Sequence, residues 1–303
     1  MATYVGLQAQ ISKNNLKSIL LLAAFPLLIL AGVYAFFFFT HGGKERIDEV
    51  NMAYIKTIPF VLAGVGIWFI IAYFANSTMI NLATGSRTLE RKENMRVYNL
   101  TENLCMSIGM KMPKLHVIDS PALNAFASGM SESSYAVTLT TGIIEHLNDE
   151  ELEGVIAHEL THIRNRDVRL LVISIIFVGI FSFAVDVLLR SVLWGGGRRK
   201  DEKDNGNLQL IALVIALVAW LLSILFKFSL SRKREYLADA GAVEMTRNAK
   251  AMANALRKIS GNSDVNEVKS DDVKQMFIHH SSLAGLFSTH PPIEKRIAFL
   301  EQM

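Results

Sequence analysis

Asn148-Asp149-Glu150-Glu151-Leu152-Glu153-Gly154-Val155-Ile156-Ala157-His158-Glu159-Leu160-Thr161-His162-Ile163 is the stretch on which the reading of this chain turns. Asn148 and Asp149 suit a helix start, and the acids Glu150, Glu151 and Glu153 lie in the first turns, where the helix dipole favours them. Leu147, Leu152, Val155, Ile156, Leu160 and Ile163 recur at helical spacing and predict a buried stripe. On such a helix His158 and His162 stand one turn apart on one face, with Glu159 beside them. Two imidazoles so placed can share one metal ion while the glutamate reaches a water, the zinc-site pattern H-E-x-x-H.

A zinc site of this kind needs a third protein ligand. Ser231-Arg232-Lys233-Arg234-Glu235-Tyr236-Leu237-Ala238-Asp239-Ala240 favours a helix that carries Glu235 and Asp239 on one face. Glu235 is the expected third ligand of a single Zn2+ per chain. Asp239, one turn on, is placed to accept the free N–H of a ligating histidine and fix its tautomer. Asp167 is the rival ligand, but its neighbours Arg164, Arg166 and Arg169 favour an ion-pair role.

The rest of the chain points to a membrane. Of its 303 residues 51% are apolar, and mean hydropathy is +0.29, too high for an ordinary soluble protein. Uncharged runs at about 18–40 and 57–83 are long enough to span a bilayer. The first is too long for a secretory signal and reads as an uncleaved anchor. Two further candidates at about 170–194 and 208–229, joined by a charged, Gly-rich turn, predict a transmembrane hairpin, with Asp186 and Arg190 interrupting the third span near its end. The hairpin returns the chain to the side it left, so His158, His162 and Glu235 share a compartment. Lys13, Lys17, the Arg87 to Arg96 cluster and Arg232-Lys233-Arg234 place that compartment in the cytoplasm, whereas Arg198, Arg199, Lys200 and Lys203 run against the rule. A single cysteine, Cys105, permits no internal disulfide and agrees with a reducing compartment. The basic clusters flank spans and net charge is only +3, which argues against nucleic acid as a partner.

Two amino-terminal spans, His158-Glu159-x-x-His162, a hydrophobic hairpin, Arg234-Glu235-Tyr236-x-Ala238-Asp239 and Ser288-Thr289-His290-Pro291-Pro292 followed by Arg296 together resemble the HtpX membrane zinc metalloproteases, relatives of the prenyl-protein (CAAX) endoproteases. The resemblance covers nearly the whole chain. It implies a bacterial-type inner-membrane endopeptidase of protein quality control and stress response, with zinc on His158, His162 and Glu235 and with Glu159 as the catalytic residue. It also implies a small β element in residues 111–142, with runs at Lys114 to Ile118 and Tyr135 to Leu139. Between them Asn124, Ala125 and Phe126 resemble an edge strand that pairs with an extended substrate. Phe126 fits a core position equally well, and Asn124 a turn. His290, ahead of Pro291 and Pro292, falls at a helix start, where its ring serves either as a cap or as a donor to the oxyanion of the reaction. Arg296 is expected to anchor this terminal helix against a carboxylate.

The expected fold is therefore a mostly α integral membrane protein, with four transmembrane helices and a zincin-type α+β catalytic domain bearing a small β-sheet. Residues 1–86 form an amino-terminal membrane region, 87–169 the first catalytic part, 170–230 the hairpin and 231–303 the second catalytic part. The expected activity is zinc-dependent hydrolysis of membrane or unfolded proteins near the cytoplasmic membrane surface. A CAAX-type endoprotease needs a lipid-accommodating chamber that four spans are too few to enclose. A silent zinc-binding adaptor has no need of Glu159.

Overall fold

The computed structural model describes residues 7–40, 43–176, 232–265 and 290–303, together with 214, 217–218, 221, 268, 274 and 276–279. Two compact units emerge. One combines Met1–Lys17, Ala75–Val172 and Ser229–Met303, the other Ser18–Phe74 and Ile173–Phe228.

In the second unit lies most of two long helices, α1 (Leu7–Thr40) and α2 (Ile47–Thr84), linked through a 3-10 turn at Gly43–Arg46. Within them Ile11–Phe39 and Lys44–Thr84 are long and apolar enough to cross a membrane. Only 11% and 6% of their most apolar windows are buried, so these are not the core helices of a soluble protein. Tyr34 Oη donates to Asn51 Oδ1 at 3.2 Å and its ring meets Tyr54 edge-on, tying α1 to α2. The expected hairpin at 170–194 and 208–229 lies outside the described residues, apart from 170–176, 214, 217–218 and 221, which are helical.

The first unit carries the sheet. Its order is β1-β2-β4-β3, with β1 Arg87–Thr88, β2 Lys114–Ile118, β3 Ala125–Ser128 and β4 Ala136–Thr140. β2 and β4 run parallel, and β3 is an antiparallel edge strand in the register Phe126 to Thr138. Its apolar, β-branched runs bury both faces: every residue of β3 and β4 is buried. Helices α3 (Met95–Ser107) and α4 (Thr141–His146) lead to α5 (Asp149–Arg164), which spans the motif. Asn148 and Glu151 form a reciprocal capping box at the start of α5, and Lys258 meets Glu151 at 2.6 Å. α6 (Arg232–Thr246) and α7 (Ala249–Ser260) pack against α5, and α8 (Ile293–Leu300) closes over α6 and α7.

Candidate metal centre

Helix α5 turns His158 and His162 to one side, and their Nε2 atoms stand 3.2 Å apart. α6 brings Glu235 opposite. Its Oε2 lies 3.7 Å from His158 Nε2 and its Oε1 3.7 Å from His162 Nε2. A tetrahedral cation held at about 2.0–2.2 Å needs ligand atoms roughly 3.4 Å apart, so this triangle already has the right size. Burial opposes charge on Glu235, yet His290, His158 and His162 around it hold its carboxyl well below the usual range. Among the described residues, its buried Oε2 has no hydrogen bond of good geometry, with only the looser ion-pair approaches of His290 Nδ1 at 3.2 Å and Arg296 Nη1 at 3.4 Å. An ionised carboxylate oxygen left so in a buried site fits a cation.

Each histidine also has a carboxylate behind it. His158 Nδ1 lies 3.0 Å from Asp239 Oδ1, and His162 Nδ1 lies 3.2 Å from Asp167 Oδ2. Each imidazole thus gives its Nδ1–H away and keeps Nε2 as a lone-pair donor. Asp239 is in turn gripped by Arg296, whose Nε and Nη2 donate to its two oxygens at 2.9 and 2.6 Å. Arg296 is 1% exposed, and its Nη1 donates to Ile278 O. It anchors α8 to the centre as well as to a carboxylate.

Glu159, His162, Glu235 and His290 share the wall of one cleft with Ala127, Asp167, Arg234 and Met276. Burial pushes the Glu159 carboxyl up, and the Glu235 charge adds to this against the opposing pull of the two histidines and Arg296. A group so held has the basicity of a proton shuttle. His290 Nδ1 is 3.2 Å from Glu235 Oε2, so this ring touches the third member of the candidate triangle.

Two expectations change. Asp167 does not pair with its neighbouring arginines as foreseen; it stands behind His162. Arg166 takes a left-handed φ of 59°, which ends α5 and turns the next residue back along it, a reversal that helical spacing cannot reveal. Asn124 and Phe126 are scaffold residues. The Asn124 amide donates to Ser263 O and His279 O at 2.7 and 2.6 Å, and Phe126, fully buried, packs edge-on against Phe277. Ala125 O accepts from Ile278 N–H at 2.9 Å. Because side chains alternate along a strand, it is Ala127, one residue past Phe126, that lines the cleft.

A His-His-Glu triangle beside a buried glutamate, on a helical unit with a small sheet, defines the metallopeptidase class. A family model described as Peptidase family M48 matches residues 91–303, and the chain belongs to that family as a membrane-bound metallopeptidase with a metal cofactor. It is 54% identical to a "Protease HtpX homolog" of Bacteroides fragilis across 99% of both chains. It is 38% identical to one of Ligilactobacillus salivarius across 98% of this chain and 100% of that one. Among solved structures, the crystal structure of S. mikatae Ste24p is similar with a TM-score of 0.50 at 16% identity, covering 96% of this chain and 66% of that one, a likeness of fold.

Proposed function

We propose that this protein is a zinc endopeptidase that cuts membrane or misfolded proteins near the cytoplasmic surface of the inner membrane, in the service of protein quality control. The observation that carries this reading is the triangle of His158, His162 and Glu235 with Glu159 on the wall of the same cleft. Two imidazoles and a carboxylate are a known catalytic zinc set with the fourth position open. Bound there, the ion supplies Lewis acidity toward a peptide carbonyl and toward water.

The chain's own groups do the rest. Glu159 takes the proton of the attacking water and returns it to the leaving amine. Asp239 and Asp167 hold the ligand tautomers, and Arg296 keeps Asp239 charged and in place. His290 steadies Glu235 and stands on the cleft wall, where an imidazole N–H can meet the oxyanion. An extended substrate would lie along the outer edge of β3 at Ala127, since Ala125 is already engaged by Ile278. The basic residues flanking α1, α2 and α6 support a cytoplasmic site. The likeness to Ste24p at 16% identity is one of fold and does not bring a prenylated substrate with it.

The test is metal dependence residue by residue. Chelator-treated protein should lose casein cleavage and regain it with Zn2+. His158→Ala, His162→Ala and Glu235→Ala should each lose both zinc and activity. Full cleavage by any of these three without zinc would overturn the reading.

A further inference from the structure

Asn14 sits in the first turns of α1, ahead of the apolar run, and belongs to the same compact unit as the metal centre. Its side chain is 1% exposed, where a polar amide persists only with partners. Its Nδ2 donates to Asn165 O at 2.9 Å and to Asp167 Oδ1 at 2.5 Å. These two acceptors flank Arg166, the residue with φ of 59°. One amide therefore clamps both ends of the turn that carries Asp167 back toward the metal centre. Asp167, 2% exposed, divides its oxygens between Asn14 and the Nδ1 of His162. Asn15 touches the same turn differently, accepting from Arg166 Nη1 at 3.3 Å on the exposed side.

We infer that Asn14 is a positioning residue of the metal centre, acting through Asp167 on His162, so that the amino-terminal end of the first apolar helix is part of the site and not merely an anchor. The inference rests on the metallopeptidase reading, but its readout is metal binding, so the two can fail separately. Without a donor on Oδ1, the Asp167 carboxylate has a buried oxygen unsatisfied and is free to rotate away from His162. The imidazole then loses the acceptor that fixes its tautomer. Partners of this kind typically alter metal affinity by about 10–100-fold when removed. Asn14 lies near the amino-terminal end of the candidate span Ile11–Phe39, so a displacement of this helix end would be felt at His162.

The experiment uses the full chain in detergent, with Zn2+ affinity measured by competition against a chromophoric chelator. Thermal unfolding of the metal-free protein serves as the fold control. Asn14→Leu keeps the volume and removes the donor; Asn14→Ala removes the donor without adding a charge. Both should bind Zn2+ about 10-fold or more weakly, while Asn15→Ala stays within about twofold of the parent. In an Asp167→Ala background, Asn14→Leu should weaken binding no further, because the two act through one path. Parent-like zinc affinity in the Asn14 variants, or a loss that adds fully to that of Asp167→Ala, would overturn the inference. If Asn14→Leu does not fold, Asn14→Ala decides by the same criteria. A protein that shows this zinc pattern yet cuts no peptide keeps Asn14 in its role and removes the peptidase reading instead.

Discussion

Gly241 of α6 and Thr161 of α5 are packed so closely that a Cβ on Gly241 would lie 2.5 Å from Thr161 Cγ2 and 2.7 Å from its Oγ1. The contact falls where it matters, because Thr161 lies between His158 and His162 in the chain, immediately before His162, and Gly241 lies two residues past Asp239. Glycine here sets the distance between the helix that supplies His158 and His162 and the helix that supplies Glu235. Gly241→Ala should push them apart. We expect a stability loss of about 1–3 kcal/mol from overpacking, and weaker zinc retention because the ligand triangle opens. Thermal unfolding and zinc content after dialysis, side by side, check this. A variant with both properties unchanged would show that the helices yield elsewhere.

Arg296→Met tests the buried pair. Asp239 is fully buried and its charge is held by the Arg296 guanidinium as well as by His158. Removal of one partner leaves an uncompensated buried charge, a loss of about 3–5 kcal/mol. The variant should unfold at a clearly lower temperature than the parent, and Arg296→Lys should not restore it fully, because an ammonium cannot make the paired contact with both oxygens. A midpoint equal to the parent's in Arg296→Met would mean that Asp239 is not charged there.

The amino-terminal cap of α5 should matter to stability and not to chemistry. Asn148 Oδ1 accepts from Glu151 N–H at 2.9 Å, and Glu151 returns the bond to Asn148 N–H. Asn148→Ala should cost about 1 kcal/mol, read from the denaturation midpoint, with kcat/KM retained. A change in kcat/KM larger than the change in stability would show that the cap tunes the metal centre.

Cys105 should behave as an inert thiol. It is 2% exposed on α3, and burial pushes its pKa up to about 11. The thiolate is the reactive form, so at pH 8 the native protein should react slowly with a thiol reagent and quickly once denatured. Fast labelling of the native protein would mean that α3 opens readily.

The geometry of the candidate metal centre was largely legible because its parts are local. His158 and His162 are set by helical period within α5, Glu235 and Asp239 by the same period within α6, and the strands by short apolar runs between turns. What escaped were relations across elements. Asp167 was hidden behind a left-handed residue at 166, a conformation that an arginine in the sequence does not announce. Asn14 is more than 140 positions from its acceptors, and no spacing rule links them. Phe126 and Ala127 are neighbours, and only the pleat of β3 decides which one meets the cleft. The small residues Ala238, Gly241 and Ala242 were a usable signal for a close helix approach, since large side chains at those positions would hold α5 off.

The most direct test of a hydrolytic metal centre is to remove Glu159 and leave the ligands. Detergent-purified, zinc-loaded parent and Glu159→Ala should be compared for cleavage of an unfolded protein such as casein, with bound zinc quantified in both. The expected result is cleavage by the parent alone, with about one zinc per chain in each, since Glu159 lies beside the ligands and is not one of them. Equal cleavage by both proteins would contradict Glu159 as the group that moves the proton, and with it the mechanism built on this cleft.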